Sequence, residues 1–260
     1  MSVKATTLQD EVHDILRAAT VNGDRLTLNG QLDRRQYEAT MKAIEAIGGK
    51  WNRAQKCHIF DRPVQPLLDA MFDTGKIPPK NPFAYFATPV DVIDQMIELL
   101  SIDSARDDIY RILEPSAGEG AIVRRVKDAY PTNVTVDAYE IDPVRHGKAH
   151  AAGAYMLGYD FMTAAPSPVY NAVLMNPPFA IEGNPLAYID HIRHAAKFLT
   201  SDGELVAIAP NGFTSRSDRK CREFMEWVEA WPYNAIVDLP ANAFKESGTG
   251  VNTVMIHLTF

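Results

Sequence analysis

Between residues 110 and 179, short apolar runs alternate with small-residue turns and helical segments, and each run ends in a polar word. Tyr110-Arg111-Ile112-Leu113 runs into Glu114-Pro115-Ser116-Ala117-Gly118-Glu119-Gly120 and then a predicted helix, Ala121 to Tyr130. Val134 to Tyr139 ends at Glu140-Ile141, a third short stretch ends in Gly158-Tyr159-Asp160-Phe161, and Asn171 to Met175 ends in Asn176-Pro177-Pro178-Phe179. Strands alternating with helices build a parallel sheet covered on both faces, and such sheets bind ligands beyond the carboxyl ends of their strands. The four polar words therefore fall on one edge. The expected fold class is α/β, a doubly wound sheet of about seven strands, and 260 residues with 46% hydrophobic content can bury its core.

Each word has its own chemistry. Gly118 and Gly120 permit a tight turn, and the free N–H groups of the following helix face whatever sits above it. Val123 stands where the third glycine of a dinucleotide fingerprint would be, so a ligand without phosphates is favoured. Glu140, 20 residues beyond Gly120, is placed to accept from ribose hydroxyls, with Ile141 beside it. Asp160 is a candidate acceptor for an exocyclic amine, and Phe161 for packing on the ring; in isolation an aspartate there reads as a turn residue. Proline has no N–H, so the carbonyls around Pro177 and Pro178 face a ligand without a competing donor. The Asn176 side-chain oxygen adds a second acceptor, and Phe179 offers a stacking surface. Two acceptors and a ring suit the amine of an extruded adenine or cytosine.

This arrangement resembles the S-adenosylmethionine-dependent methyltransferases, and its words resemble those of the gamma-class amino-methylating DNA enzymes, including modification subunits of type I restriction systems. Phe86-Ala87-Thr88-Pro89 is similar to the motif that precedes the sheet in that family, whose threonine contacts the methionine end of the cofactor. Glu114 to Gly120 is similar to the glycine motif, with Glu114 where aspartate is more usual. Asn176 to Phe179 is similar to the catalytic motif. Leu239-Pro240-Ala241-Asn242-Ala243-Phe244, followed by Thr249 to Thr253, is similar to the segment in which an aromatic residue takes the other face of the flipped base, which makes Phe244 the candidate. The resemblance spans about residues 83–260 and implies a seven-stranded Rossmann-like sheet. It also implies S-adenosylmethionine as donor, S-adenosylhomocysteine as product, no metal, and methylation of adenine N6 in DNA. Enzymes of the same fold that act on RNA bases or on protein glutamine also carry Asn-Pro-Pro followed by an aromatic, usually tyrosine. A non-catalytic DNA-binding or partner-binding protein on this fold is the other class of reading.

A net charge of −7 leaves nucleic-acid contact to local clusters. Arg216, Arg219, Lys220 and Arg222 follow a predicted strand, Glu204 to Pro210, and are the expected DNA-contacting set. Arg124, Arg125 and Lys127 read as a solvated helix face. Residues 1–80 read as a separate small α+β unit: strands at Asp24 to Leu28 and Lys56 to Phe60, and a helix from Asp33 to Ile47 with Tyr37, Met41, Ile44 and Ile47 on one face. Ile77 to Pro82 reads as a linker. Trp51 is expected in the core of that unit, with Lys50, Arg53 and Lys56 forming a phosphate-contact strip. The family's large target-recognition domain has no counterpart after Phe244, so a short or permissive recognition sequence, or a specificity or partner subunit, is expected. Cys57 and Cys221 lie far apart without metal-site spacing, and no long apolar run is present, which points to a reducing cytoplasm and no membrane. His191 and His194 lack a third ligand and read as ordinary helix residues.

Overall fold

In a computed structural model of the chain, the described residues are 6–78, 85–102, 108–245 and 250–260. The chain divides into two compact units, Met1–Pro82 and Phe83–Phe260. The linker residues 79–82, with Phe83, and Thr249 of the segment after Phe244 lie outside the described residues.

The first unit runs β1 (Thr6–Thr7), α1 (Asp10–Arg17), β2 (Thr20–Asn22), β3 (Arg25–Thr27), α2 (Arg34–Ala46), β4 (Lys50–Asn52), β5 (Cys57–Ile59), α3 (Gln65–Thr74) and β6 (Lys76–Ile77). β1 pairs with β6, and the other strands form an antiparallel sheet in the order β2-β3-β5-β4. Asp33 caps α2 in a reciprocal box with Gln36, which explains why the helix starts there. The buried face of α2 is Thr40, Ala43 and Ile44, packed with Leu16, Leu26, Leu68 and Met71. Tyr37 is exposed, so the expected apolar face is turned by a fraction of a helical turn. Trp51 is 60% exposed, correcting its expected place in the core: it lies on β4, an edge strand among the described residues.

The second unit continues with α4 (Val90–Glu98), β7 (Tyr110–Glu114), α5 (Ala121–Ala129), β8 (Val134–Tyr139), α6 (Pro143–Ala151), β9 (Tyr155–Gly158), β10 (Tyr170–Met175), α7 (Ala187–Ala195), β11 (Leu199–Pro210), α8 (Arg219–Glu229), β12 (Tyr233–Asp238) and β13 (Thr253–Thr259). Among the described residues its strands form a seven-stranded sheet in the order β12-β13-β11-β10-β7-β8-β9. β9, β8, β7, β10 and β11 are mutually parallel, and β13 is antiparallel to both β11 and β12. The chain winds from β7 outward through β8 to β9, then crosses to β10 and proceeds the other way. The order reverses between β7 and β10, which opens a crevice at their carboxyl ends. Both strands are apolar throughout their centres because both sheet faces are covered: Ile112, Leu113 and Ala172 to Met175 are all buried. α5 presents Ile122, Val123 and Val126 to that core and leaves Arg124 exposed, while Lys127 donates to the Val134 carbonyl and Arg125 pairs with Asp94, so the expected solvated face is partly tied down. Among the described residues no helix is long and apolar enough to cross a membrane.

Candidate active site

The turn after β7 is built around two glycines with positive φ, Gly118 at 55° and Gly120 at 78°. They answer different needs. A Cβ on Gly120 would stand 2.6 Å from the Ala152 Cβ and 3.0 Å from the Ala149 Cα, so this glycine lets the end of α6 pack against the turn. A Cβ on Gly118 would run into the Tyr85 ring, so the tyrosine lies directly on the turn.

Glu140 closes the turn from β8. One carboxylate oxygen accepts from the Gly118 N–H at 2.8 Å, and the other accepts from the Asp142 N–H at 2.9 Å and from Arg145 Nε at 3.2 Å. Asp142 in turn caps α6 by accepting from the Val144 and Arg145 N–H groups. Arg145 sits 4.7 Å from the centre of the Tyr85 ring. Glu140 is therefore buried and already hydrogen-bonded on both oxygens, while Ile141 beside it is exposed.

Glu114 ends β7 only 2% exposed, and its Oε2 has no hydrogen-bond partner. Burial, and secondarily the charge of Glu140, push its carboxyl well above the usual range. The Ser116 hydroxyl is a second buried polar atom without a partner. A buried carboxyl and hydroxyl left unsatisfied two residues apart suit a ligand that brings a cationic donor.

Across the crevice, Asn176 follows the last residue of β10. Its Nδ2 donates to the Phe86 carbonyl at 3.0 Å and to Thr88 Oγ1 at 3.1 Å. These two bonds fix which end of the amide is nitrogen and leave Oδ1 as the free acceptor. They also bring together two words separated by about 90 residues. Pro89 then caps α4 in an extended conformation, which starts that helix where its ring fits. The Phe179 ring lies 6.3 Å from that of Phe86 at 28° between planes and is 8% exposed.

Glu114, Pro115, Ser116, Ala117, Gly118, Gly120, Glu140 and Ile141 thus gather at the ends of β7 and β8, and Phe86, Thr88 and Pro89 are tied to the end of β10 through Asn176. Three expectations are corrected. Phe244 is completely buried in the main core, turned inward by the tight turn from Pro240 in which Asn242 takes φ 68°, and so presents no face to a base. Phe161 is also core, packed against Tyr139, His194 and Phe198, while Asp160 stays exposed and caps the short turn that follows by accepting from the Met162 N–H. Phe179 is stacked on Phe86 rather than standing open. Of the basic set, Arg216 pairs with Asp218, Arg219 with Glu223 and Lys220 with Asp190, all at 2.6 to 2.7 Å. Lys220 also helps Asp190 hold Asn184, in the loop after Phe179. Sequence reasoning missed Tyr85 and Arg145; the signal for Arg145 was an arginine in the first turn of the helix that follows Glu140. Among the described residues no group of three or more histidine, cysteine or carboxylate side chains is placed to hold a metal ion.

No protein-family model matches the chain. It is 30% identical over 89 residues to the type II methyltransferase M.TthHB8I of Thermus thermophilus, covering 34% of this chain and 20% of that protein. Its structure is similar to the methyltransferase subunit of a type I restriction-modification system from Streptococcus thermophilus, with TM-score 0.56, 19% identity, 67% of this chain and 44% of that one covered. It is also similar to a putative class I S-adenosylmethionine-dependent methyltransferase from Listeria monocytogenes, with TM-score 0.54, 15% identity, 66% of this chain and 60% of that one covered. The chain therefore spans one fifth to three fifths of the length of these relatives. With its strand order reversing at the glycine turn and its last strand antiparallel, the second unit has the fold of the class I S-adenosylmethionine-dependent methyltransferases.

Proposed function

We propose that this protein transfers a methyl group from S-adenosylmethionine to the exocyclic N6 amine of a flipped-out adenine in DNA. The observation that carries the reading is the orientation of Asn176: both its donors are used by Phe86 and Thr88, and its oxygen is left as an acceptor, followed in sequence by the donor-less Pro177-Pro178 pair. Two acceptors, that oxygen and the Pro177 carbonyl, would match the two hydrogens of an amine.

When bound, the cofactor supplies a methyl group already activated on a sulfonium sulfur. The residues of the chain have three tasks. Glu114 and Ser116 offer the buried carboxyl and hydroxyl that the ammonium end of the cofactor would satisfy. Asn176 Oδ1 and the Pro177 carbonyl hold the amine hydrogens so that the nitrogen lone pair, otherwise delocalised into the ring, is directed at the methyl carbon. The same oxygens would stabilise the positive charge on that nitrogen when it takes up the methyl group the cofactor supplies, the sulfur keeping the bonding electrons. The extra proton leaves nitrogen for water afterwards, so no general base with a shifted pKa is required at the motif. DNA is the proposed substrate and a specificity subunit a proposed partner, as befits a likeness to a type I methyltransferase subunit and a type II methyltransferase.

The test is incubation with labelled S-adenosylmethionine and, separately, duplex DNA, single-stranded DNA, RNA and protein, followed by digestion and mass spectrometry of the labelled unit. N6-methyladenine in DNA is expected. Label confined to RNA or to protein glutamine would retain the cofactor site and overturn the substrate. Cofactor binding without transfer to any of them would favour a binding-only protein.

A further inference from the structure

The first unit carries a surface that the methyl-transfer reading does not use. Trp51 is 60% exposed on β4, which is an edge strand among the described residues. One side of its indole leans on the ring of its cross-strand partner His58, centroids 5.0 Å apart, which holds the ring in place while the rest faces solvent. His58 is itself buried, and burial lowers its pKa, so the ring behind Trp51 is held neutral. From Ala46 to Phe60 the chain contains three cations, Lys50, Arg53 and Lys56, and no carboxylate. All three are exposed, and among the described residues none forms an ion pair or a side-chain hydrogen bond. The contrast with Arg216, Arg219 and Lys220, each already neutralised, is direct. Lys56 moreover takes φ 53°, a left-handed conformation in which glycine would be relaxed, so a cationic side chain stands at the hairpin tip despite its backbone. The hairpin is thus a +3 rim on a chain of net charge −7.

We propose that the β4–β5 hairpin binds single-stranded nucleic acid, with a base stacked on Trp51 and successive phosphates held by Lys50, Arg53 and Lys56. An exposed, pre-oriented aromatic ring bordered by unpaired cations answers both halves of a polynucleotide strand, the flat base and the charged backbone. A duplex offers the second but not the first, since its bases are stacked on one another.

The test titrates the full-length chain, without cofactor, with oligothymidylate, with oligouridylate of equal length and with a blunt DNA duplex, following tryptophan emission. The chain has three tryptophans, and Trp231 is buried, so the Trp51→Phe variant supplies the background. Either single strand should quench the Trp51 component, and the stronger of the two identifies DNA or RNA as the ligand. Trp51→Ala should weaken binding about tenfold or more, with Trp51→Phe retaining most of the affinity. Replacing Lys50, Arg53 and Lys56 together by Gln should lower the slope of log affinity against log salt by about 2. Equal affinity of Trp51→Ala and the parent for the single strands, binding of them that leaves Trp51 emission unchanged, stronger quenching of the Trp51 component by the duplex, or no binding of either single strand would each overturn the proposal. Neither strand contains adenine, and the hairpin holds no residue of the methyl-transfer site, so failure here and failure of that reading are separate results.

Discussion

Asn176 and Glu114 stand at the carboxyl ends of the neighbouring strands β10 and β7, with opposite problems. Asn176 has its donors satisfied and one acceptor free, so its removal should cost reaction rather than binding. Asn176→Ala is expected to lower the single-turnover rate about 100-fold or more while S-adenosylhomocysteine affinity stays within a few-fold, measured by rapid quench and calorimetry. Glu114 is a buried carboxyl without a partner on one oxygen, and burial raises its pKa in the folded state. A raised folded pKa contributes stability that is fully present below the unfolded value and lost as pH rises through the folded one. Glu114→Gln cannot ionise and escapes that loss. The variant should match the parent in melting temperature at pH 4, and exceed it by a margin that widens upward from the ordinary carboxylate range until the folded pKa is passed. The same substitution should weaken cofactor affinity about tenfold, because the carboxyl can ionise against a cationic donor and the amide cannot. A melting series that does not diverge with pH would remove Glu114 from the set of desolvated acids.

At the scale of elements, the glycine turn is held by a helix on one side and by Tyr85 on the other. A methyl on Gly120 meets the Ala149 backbone and Ala152, which are parts of α6 and cannot yield, so Gly120→Ala should cost about 3 kcal/mol in urea unfolding. A methyl on Gly118 meets the edge of the Tyr85 ring, which can swing away, so Gly118→Ala should cost about 1–2 kcal/mol and change the Tyr85 environment instead. The sequence made the strands of this region legible because their centres are buried on both faces and read as unbroken apolar runs, each stopped by a polar or glycine word. The order of the strands was not legible, since pairing between β7 and β10 joins segments about 60 residues apart; the resemblance implied a seven-stranded Rossmann-like sheet and no more. Side-chain direction was the least legible. A motif can assign a role to Phe244, but whether the ring faces solvent depends on a turn with Asn242 in a left-handed conformation, and that turn buries it. Trp51 failed in the opposite sense: hydrophobicity argued for the core, and an edge position left it outside. Arg216, Arg219 and Lys220 were visible as charges, whereas the carboxylates that pair with them lie two to thirty residues away and are chosen by the fold.

For the whole molecule, the buried apolar side chains separate into two clusters, one in each unit. Calorimetry should resolve two unfolding transitions. S-adenosylhomocysteine at about 100 times its dissociation constant should stabilise only the larger transition, by about 2.7 kcal/mol, since the residues proposed to hold the cofactor lie in the second unit. A single transition shifted as a whole would show that the units unfold together. Within the second unit, β7 joins two buried acids in contrasting states. Tyr110, at its start, donates to Glu204 at 2.6 Å, and the Ser101 N–H donates to the same carboxylate, with His257 Nε2 3.4 Å away. Burial alone would raise Glu204, but these partners outweigh it and hold its pKa below the usual value. Glu114, at the other end of the strand, has no such complement. One five-residue strand therefore runs from an anchored pole to a frustrated one, and a ligand that brought a donor to Glu114 and Ser116 would finish, at that end, a hydrogen-bond set the chain leaves incomplete.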